Sequence, residues 1–209
     1  YSDVQFSRGY INRVQVLRNA QPEFITVPTL GSKRQKIDEM RLDENQDWRS
    51  RHATLIKESL GSTPFFFEAR SIFEHVSRQP HSSLASLNSL SVQTISEALL
   101  GANSPEFIDS RTIDRSSQGT QDLVDICKQL GATHYLTGHG ARNYLDSHLF
   151  SEAGLQLEIV DYRILQYEQA PRRTFTPFVS ALDAVARLGA TNAGQLLKSR
   201  AMSYQRFPE

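Results

Sequence analysis

Several kinds of residue and segment are scarce or missing in this sequence. Cys127 is the single cysteine, which excludes an intramolecular disulfide framework and the cysteine-rich kinds of zinc site. The 23 lysines and arginines are balanced by 23 aspartates and glutamates, whereas non-specific nucleic-acid binding normally needs a strong basic excess. No apolar run approaches the roughly 20 residues of a membrane span. We therefore expect a soluble protein of a reducing compartment, with no membrane span and no nucleic-acid partner.

The remaining composition is that of a globular protein. Of its 209 residues, 39% are hydrophobic and 22% are charged, and this length predicts one domain with its own core. The chain opens on Tyr1 rather than methionine, and residues 1–6 alternate apolar and polar side chains as the middle of a strand does. We therefore expect a segment upstream of Tyr1.

The hydrophobic pattern divides the expected single domain of residues 1–209 into four segments. Residues 1–44 contain short apolar runs that predict strands in a hairpin or meander. Residues 45–101 carry apolar side chains at helical spacing and predict three helices. Residues 106–162 alternate strand and helix patterns, and residues 175–209 predict C-terminal helices, the first opened by Ser180 and Asp183 as a capping box.

The alternating segment decides the expected fold class. Its predicted strands are 106–109, 133–137 and 155–162, and its predicted helices are 120–130 and 141–153. Parallel neighbours need a crossover connection, so this order predicts three parallel strands in one sheet. The expected class is α/β, with an open, mainly parallel sheet, flanking helices and an N-terminal hairpin or meander. Within helix 120–130, Cys127 shares the apolar face with Leu130, so we expect a buried, unreactive thiol.

A glycine-rich segment follows the predicted strand 133–137, and we name residues 138–144 the Gly138 loop. Open α/β sheets bind ligands where a strand passes into a helix, and the backbone N–H groups of Gly138 and Gly140 could approach an anion there. Arg142 could add a bidentate contact, with Tyr144 beside it. His139 is either a base or hydrogen-bond donor, or an incidental surface histidine. The glycines could instead serve the geometry of the turn alone.

A second polar group lies in the N-terminal strands. Asp3 and Gln5 share one face of the first strand, and Asn12 and Arg13 open the second. If these strands pair, the four side chains converge and need partners, which a ligand could supply. Asp3, Asn12 and Arg13 would form the opposite wall of the site at the Gly138 loop. The alternative is a solvated face of an edge hairpin. Lys36, in the basic stretch 33–36, could steer an anionic substrate.

His52 lies on the apolar stripe of the predicted helix that begins near Trp48, where a histidine is usually a satisfied core residue. The six histidines show no spacing typical of a metal site. No third glycine of a dinucleotide fingerprint and no P-loop lysine accompany Gly138. We therefore expect no metal and no organic cofactor.

Short motifs spread over nearly the whole chain carry a resemblance. They are Asp-Val-Gln-Phe at 3–6, Gly-Tyr-Ile-Asn-Arg at 9–13, Ile-Thr-Val-Pro at 25–28, Gln-Lys-Ile at 35–37, Trp48 with His52, Ile-Cys-Lys-Gln-Leu-Gly-Ala at 126–132, then Tyr135, Gly138, Gly140, Tyr144, Leu145, Phe150, Gly154 and the stretch 177–183. In this order they are similar to the WbqC-like proteins. The Gln-Pro-Tyr strand with which such proteins begin is absent here, and His139 stands where they more often have proline.

The resemblance implies a cytoplasmic transferase of bacterial surface-polysaccharide (O-antigen) or secondary-metabolite biosynthesis. Its reaction would be acyl or aminoacyl transfer from a carrier thioester to a nucleotide-linked amino sugar or a related amine, with an acyl carrier protein as partner. His52 would be the base and Asp3 a further catalytic candidate. The alternative is a non-catalytic module that binds a sugar nucleotide or a carrier arm. A buried polar cluster of Asp3, Asn12, Arg13 and His52 would favour the enzyme.

Overall fold

The structure, a computed structural model, describes residues 3–7, 9–32, 34–161, 164–169, 174–199 and 203–207. The chain forms two compact units. The first contains residues 1–108 and 165–199, and the second contains residues 109–164 and 200–209. The second unit is therefore inserted, for most of its length, between two parts of the first.

The fold is mixed α/β. Its elements follow one another as β1 (Arg13–Arg18), β2 (Gln21–Thr26), β3 (Thr29–Leu30), β4 (Arg41–Leu42), α1 (Trp48–Leu60), α2 (Phe66–Ser77), α3 (Leu84–Leu100), α4 (Gly119–Gln129), β5 (His134–Thr137), α5 (Ser147–Glu152), β6 (Gln156–Asp161), α6 (Ala181–Leu188), α7 (Ala190–Ser199) and β7 (Ser203–Arg206). Short 3-10 helices lie at Gly101–Asn103, Ser110–Thr112 and His139–Asn143.

The predicted N-terminal hairpin is confirmed. β1 and β2 pair antiparallel, with Arg13 opposite Thr26. Asn19 and Ala20 connect them with φ of 49° and 59°, the left-handed pair that a tight hairpin turn uses to match the twist of its strands. β3 and β4 form a second small antiparallel pair.

The strand predicted over residues 1–6 is reduced, within the described residues, to one backbone bridge between Gln5 and Lys36. Tyr1 and Ser2 lie outside the described residues. Lys33, part of the predicted basic stretch, also lies outside them. Phe6 is nevertheless buried in the core of the first unit, so this end of the chain is packed against the rest.

The helix α1 buries one face, as its sequence pattern predicts. Asp47 caps its first turn by accepting a hydrogen bond from the backbone N–H of Ser50. Trp48, His52, Ile56 and Leu60 recur every four residues and are all buried. The helix therefore presents one stripe to the core, and His52 belongs to that stripe.

Two apolar clusters form the core of the first unit. One gathers Trp48, Leu42, Met40, Ile37 and Phe6 with the start of α3. The other joins Val16 and Ile25 of the hairpin to Ile56 and to α6, which contributes Val185, fully buried, and its neighbours. Residues before 108 and after 165 thus share one core.

The helix α6 begins differently from the predicted capping box. Ser180 does accept from the backbone N–H of Leu182, but the carboxylate of Asp183 is taken up elsewhere. Asp183 is 2% exposed and its Oδ1 accepts from Tyr167 Oη at 2.9 Å, Gln169 Nε2 at 3.3 Å and Arg187 Nε at 3.0 Å. Burial, and next the nearby carboxylate of Asp183, raise the pKa of Tyr167. This cluster fastens the described residues 164–169 to α6.

The sheet of the second unit has the order β5-β6-β7. β5 and β6 are parallel, with His134 opposite Gln156, while β7 runs antiparallel to β6. The prediction of three parallel strands over residues 106–162 is wrong, because residues 106–109 form no strand and leave Phe107 and Ile108 exposed. A run of four residues is too short for its pattern to separate a strand from an extended connection. Among the described residues β5 and β6 are the parallel strand pair, so an open, mainly parallel sheet is not seen there.

The helix predicted over residues 141–153 is divided. A 3-10 turn covers His139–Asn143, and α5 starts afresh after Asp146, whose carboxylate accepts from the backbone N–H of His148. Strand β7 was not predicted, and Tyr162, the last residue of the predicted strand 155–162, lies outside the described residues.

The core of the second unit is built around Phe150 and Val124. Cys127 joins it at 5% exposure, which confirms the predicted burial, and this burial raises the pKa of its thiol. Leu130, expected on the same apolar face, is instead 47% exposed.

Within the described ranges, no helix has the length and apolar character needed to cross a membrane.

Candidate functional site

The first unit contains a cavity of about 410 Å³, which we name the larger cavity to distinguish it from a neighbouring cavity of about 340 Å³. Its wall comes from the β1–β2 hairpin, from α1, α2 and α3, and from the start of α6. Most lining side chains are aliphatic or aromatic, among them Val16, Ile25, Ile56 and Phe73. Tyr10 and Val92, each more than half exposed, also line it and mark its opening to solvent. A largely apolar cavity of this size with a few polar groups is typical of a small-molecule site.

Three polar residues of the sequence prediction meet in this lining. Asn12 and Arg13 enter from the start of the hairpin and His52 from α1. Each is held by a backbone carbonyl rather than by the other two. Asn12 Nδ2, for example, donates to the carbonyl of Val27 at 3.1 Å. The wall therefore positions these side chains independently of any ligand.

The protonation state of His52 follows from its contacts. Its side chain is 6% exposed, and its Nε2 lies 3.1 Å from the backbone oxygen of Thr26. A carbonyl oxygen only accepts, so Nε2 carries the hydrogen and donates. Burial lowers the pKa of His52, which favours the neutral ring at neutral pH. In that tautomer Nδ1 has the free lone pair, and among the described residues nothing donates to it. His52 can therefore accept a proton at Nδ1.

The ring of His52 is also fixed by packing. Its centroid lies 5.3 Å from that of Trp48, in an edge-to-face arrangement. Trp48, one turn earlier on α1, is 2% exposed and lines the same cavity. It is the single tryptophan of the chain.

Arg13 is a half-buried cation whose partners are not acidic. Its Nε donates to the backbone oxygen of Gly9 at 3.2 Å, and its Cζ lies 4.4 Å above the ring of Phe24. No aspartate or glutamate of the described residues pairs with it. These contacts orient the guanidinium while leaving its terminal nitrogens available to an anion.

A smaller cavity of about 340 Å³ shares two residues with the larger one. Asn12 and Arg13 line both, and Thr26 and Thr29 add hydroxyl groups to the smaller one. Asn12 and Arg13 thus stand at the boundary between an apolar space and a more polar space.

The other N-terminal candidates are placed differently. Gln5 and Lys36 are exposed and meet in the backbone bridge between their segments. Asp3 is half-buried. None of the three lines the larger cavity. Asn12, Arg13 and His52 thus share a cavity wall without bonding to one another, and a catalytic role of Asp3 stays a prediction.

The Gly138 loop belongs to the second unit and lies at the carboxyl end of β5, beside the parallel strand β6. Gly138 has φ of −90° and ψ of 169°, which any residue adopts, and Gly140 has no positive φ. A Cβ on Gly140 would meet nothing within 4 Å. The local backbone geometry therefore does not require glycine at either position, which favours the view that these residues leave room for a ligand.

Ionisable side chains lie on this loop and beside it. His139 Nε2 lies 3.7 Å from Asp161 Oδ1, at the end of β6. Arg142 is exposed, and Tyr144 is 69% exposed. The five candidates of the loop are thus accessible together, in a different unit from Asn12, Arg13 and His52.

Comparison with known proteins assigns the chain to a family. The WbqC-like protein family matches residues 1–194. The chain belongs to this family. It is also similar to the uncharacterized protein Rv1507c of Mycobacterium tuberculosis (strain ATCC 25618 / H37Rv), with 27% identity over 194 residues that cover 91% of this chain and 83% of that protein. No solved structure matches.

Two features of this WbqC-like chain escaped sequence reasoning. Asn88 of α3 lines the larger cavity and donates from Nδ2 to the backbone oxygen of Ile11 at 2.9 Å. The sequence feature that could have indicated Asn88 is a polar residue next to Leu87 on a helix with an apolar face. Asp161 faces His139 and could have been found as the acidic residue at the carboxyl end of a strand.

Proposed function

We propose that this WbqC-like chain is a cytoplasmic transferase that moves an acyl or aminoacyl group from a carrier thioester to an amine. The acceptor would be a nucleotide-linked amino sugar or a related amine of surface-polysaccharide or secondary-metabolite biosynthesis. The observation that carries the proposal is His52, a neutral and oriented base in the wall of an apolar cavity. Acyl transfer to an amine needs such a base.

The reaction assigns each group a task. The amine nitrogen attacks the thioester carbonyl carbon, a C–N bond forms, and the C–S bond breaks. His52 Nδ1 takes the proton that the amine loses and returns it to the departing thiolate. The products are an amide and the free carrier thiol, so His52 ends the cycle in its starting tautomer.

Charge develops on the carbonyl oxygen during this attack. Arg13 stands at the boundary of the two cavities with its terminal nitrogens uncommitted, and donors oriented in advance are what stabilises an oxyanion. In the chain, Arg13 pairs with Thr26 across the hairpin, and the carbonyl of Thr26 holds His52. This connection supports placing the base and the cation at one reacting carbonyl group.

A separate phosphate-binding site is proposed for the second unit. There the backbone N–H groups of the Gly138 loop bind phosphate groups, such as those of a nucleotide, with Arg142 as a charge-assisted donor and His139 and Tyr144 beside it. Support comes from the two glycines, which the backbone geometry does not require, and from the position at the ends of parallel strands.

The test is a mass-spectrometric assay of the full chain with acyl carrier thioesters and nucleoside diphosphate amino sugars. Formation of the amide supports the proposal. His52→Gln keeps an amide N–H near Thr26 but removes the basic nitrogen, and we expect the rate to fall about hundredfold or more.

His81→Gln is the matched control. His81 Nε2 lies 2.8 Å from the backbone oxygen of Val76, so it makes the same kind of contact, but His81 does not line the larger cavity. This variant should keep the wild-type rate. Equal losses in both variants would contradict the role of His52. Tight binding of thioester and sugar nucleotide without any amide would replace the transferase by a binding module.

A further inference from the structure

The charge of the larger cavity distinguishes between the two kinds of donor group left open above. Among the described residues that line it, Arg13 carries a formal charge, and no aspartate or glutamate is present. His52 is held with Nε2–H toward the hairpin, and its neutral ring adds no negative charge. The described lining of the smaller cavity likewise contains Arg13 and no aspartate or glutamate.

An aminoacyl group brings a free ammonium into this space. Burying an ammonium without an anionic partner is strongly unfavourable, and Arg13 would repel it as well. A plain acyl chain meets no such penalty, because the walls around Val16, Ile56 and Phe73 are apolar. The cavity therefore selects against a cationic donor group.

The orientation of the chain follows from the boundary residues. Arg13 and Asn12 lie where the apolar larger cavity meets the more polar smaller one. The carbonyl end of an acyl chain can accept hydrogen bonds from them, whereas its alkyl part cannot. We propose that the larger cavity binds an unsubstituted apolar acyl chain, with the carbonyl end at Arg13. This inference rests on the proposed function, of which it names the donor.

The experiment uses Trp48 as a reporter of the cavity. It is the chain's single tryptophan and lies in the cavity wall, so its fluorescence reports on the occupied state directly. Octanoate, octanol and octylammonium have the same alkyl chain and differ in head group. The carboxylate stands for the carbonyl oxygen with developing charge, and the ammonium stands for an aminoacyl group.

We expect octanoate to bind about tenfold to hundredfold more tightly than octanol, which corresponds to one charge-assisted contact. Octylammonium should bind more weakly than both. Arg13→Met keeps an apolar contact with Phe24 and should remove the preference for octanoate, whereas Arg13→Lys should retain part of it.

Arg18→Met is the matched control on the same strand. Arg18 pairs with Glu23 and Glu58 and does not line the cavity, so this variant should keep the wild-type order of affinities. Equal affinity for octanoate and octanol, tightest binding of octylammonium, or no response of Trp48 to any of the three would overturn the inference. If Arg13→Met does not fold, the head-group series on the wild-type protein and on Arg13→Lys decides.

Failure of the proposed function looks different. If the protein binds octanoate as expected but forms no amide, the acyl-chain assignment of the larger cavity stands and the proposed transferase activity is wrong. If the protein forms amides only from aminoacyl thioesters, the proposed transferase activity stands and the acyl-chain assignment of the larger cavity is wrong.

Discussion

Two histidines of this chain make the same contact and face different surroundings. His52 and His81 each place Nε2 against a backbone carbonyl, at 3.1 Å and 2.8 Å. His52 does so from the wall of an apolar cavity, where a neutral ring with one free lone pair is the favoured form. The chemistry of a histidine is thus set by what surrounds its second nitrogen.

The lowered pKa of His52 predicts how stability depends on pH. Its ordinary value is 6.5, and burial places the folded-state pKa below it. The unfolded chain therefore binds a proton to His52 more readily than the folded chain does. The stability that the buried neutral ring contributes is complete above pH 6.5, and it is lost as the pH falls from 6.5 toward the folded-state pKa.

Urea unfolding between about pH 7.5 and about pH 5 measures this dependence. We expect the unfolding free energy of the wild-type protein to fall more steeply than that of His52→Gln over this range, since glutamine does not titrate. Parallel curves for the two proteins would show that His52 is not the responsible group.

For single residues, the sequence predicted where a side chain lies in the fold but not its hydrogen-bond partners or its tautomer. The helical spacing from Trp48 to Leu60 places His52 on the buried stripe without any structure. Its tautomer depends on Thr26, which is distant in the sequence and reaches His52 only through the fold of the hairpin. The same holds for Asp183, whose partners Tyr167 and Gln169 no local pattern connects to it.

The long periodic pattern of α1 predicted its helix well, whereas two segments of four residues were predicted wrongly. The pattern of α1 extends over three turns, and its predicted start near Trp48 agrees with the structure. Residues 106–109 and β7 contain four residues each, and whether such a segment joins a sheet depends on the partner strand rather than on its own pattern. For β7 that partner is β6.

A close approach of two helices yields a prediction at the scale of elements. Gly194 of α7 faces the backbone of α3, and a Cβ at this position would lie 1.8 Å from the backbone oxygen of Leu99. Gly194→Ala should therefore force α7 away and reduce the unfolding free energy by about 1–3 kcal/mol.

Gly140→Ala is the comparison. Its added Cβ meets nothing within 4 Å and its φ is not positive, so thermal unfolding should show no loss, or a small gain from the less flexible unfolded chain. If Gly194→Ala unfolds at the wild-type temperature, the two helices are not held at this distance.

At the scale of the molecule, each of the two units carries its own proposed binding site. Gly138→Val should weaken binding of a nucleoside diphosphate amino sugar by about tenfold or more, because the side chain covers the N–H groups that an anion approaches. The backbone at Gly138 lies in a region that valine favours, so backbone strain does not oppose this substitution.

Octanoate binding by the same variant should be unchanged, since the larger cavity belongs to the first unit. Arg34→Ala, an exposed position outside both cavities, should alter the affinity for the sugar nucleotide little. Calorimetric titration measures both ligands, and wild-type affinity of Gly138→Val for the sugar nucleotide would remove the phosphate site from the loop.

The division of the first unit into residues 1–108 and 165–199 also governs how the protein is made. On the ribosome, the hairpin and the first three helices emerge without α6, whose Leu182, Val185 and Ala186 complete their core. The nascent chain must keep that apolar surface uncovered while residues 109–164 of the second unit are synthesised, since domains emerge in order from the N-terminus. The larger cavity, lined in part by residues 180–182, is thus among the last features to form. A chain released early exposes an apolar, aggregation-prone surface in its place.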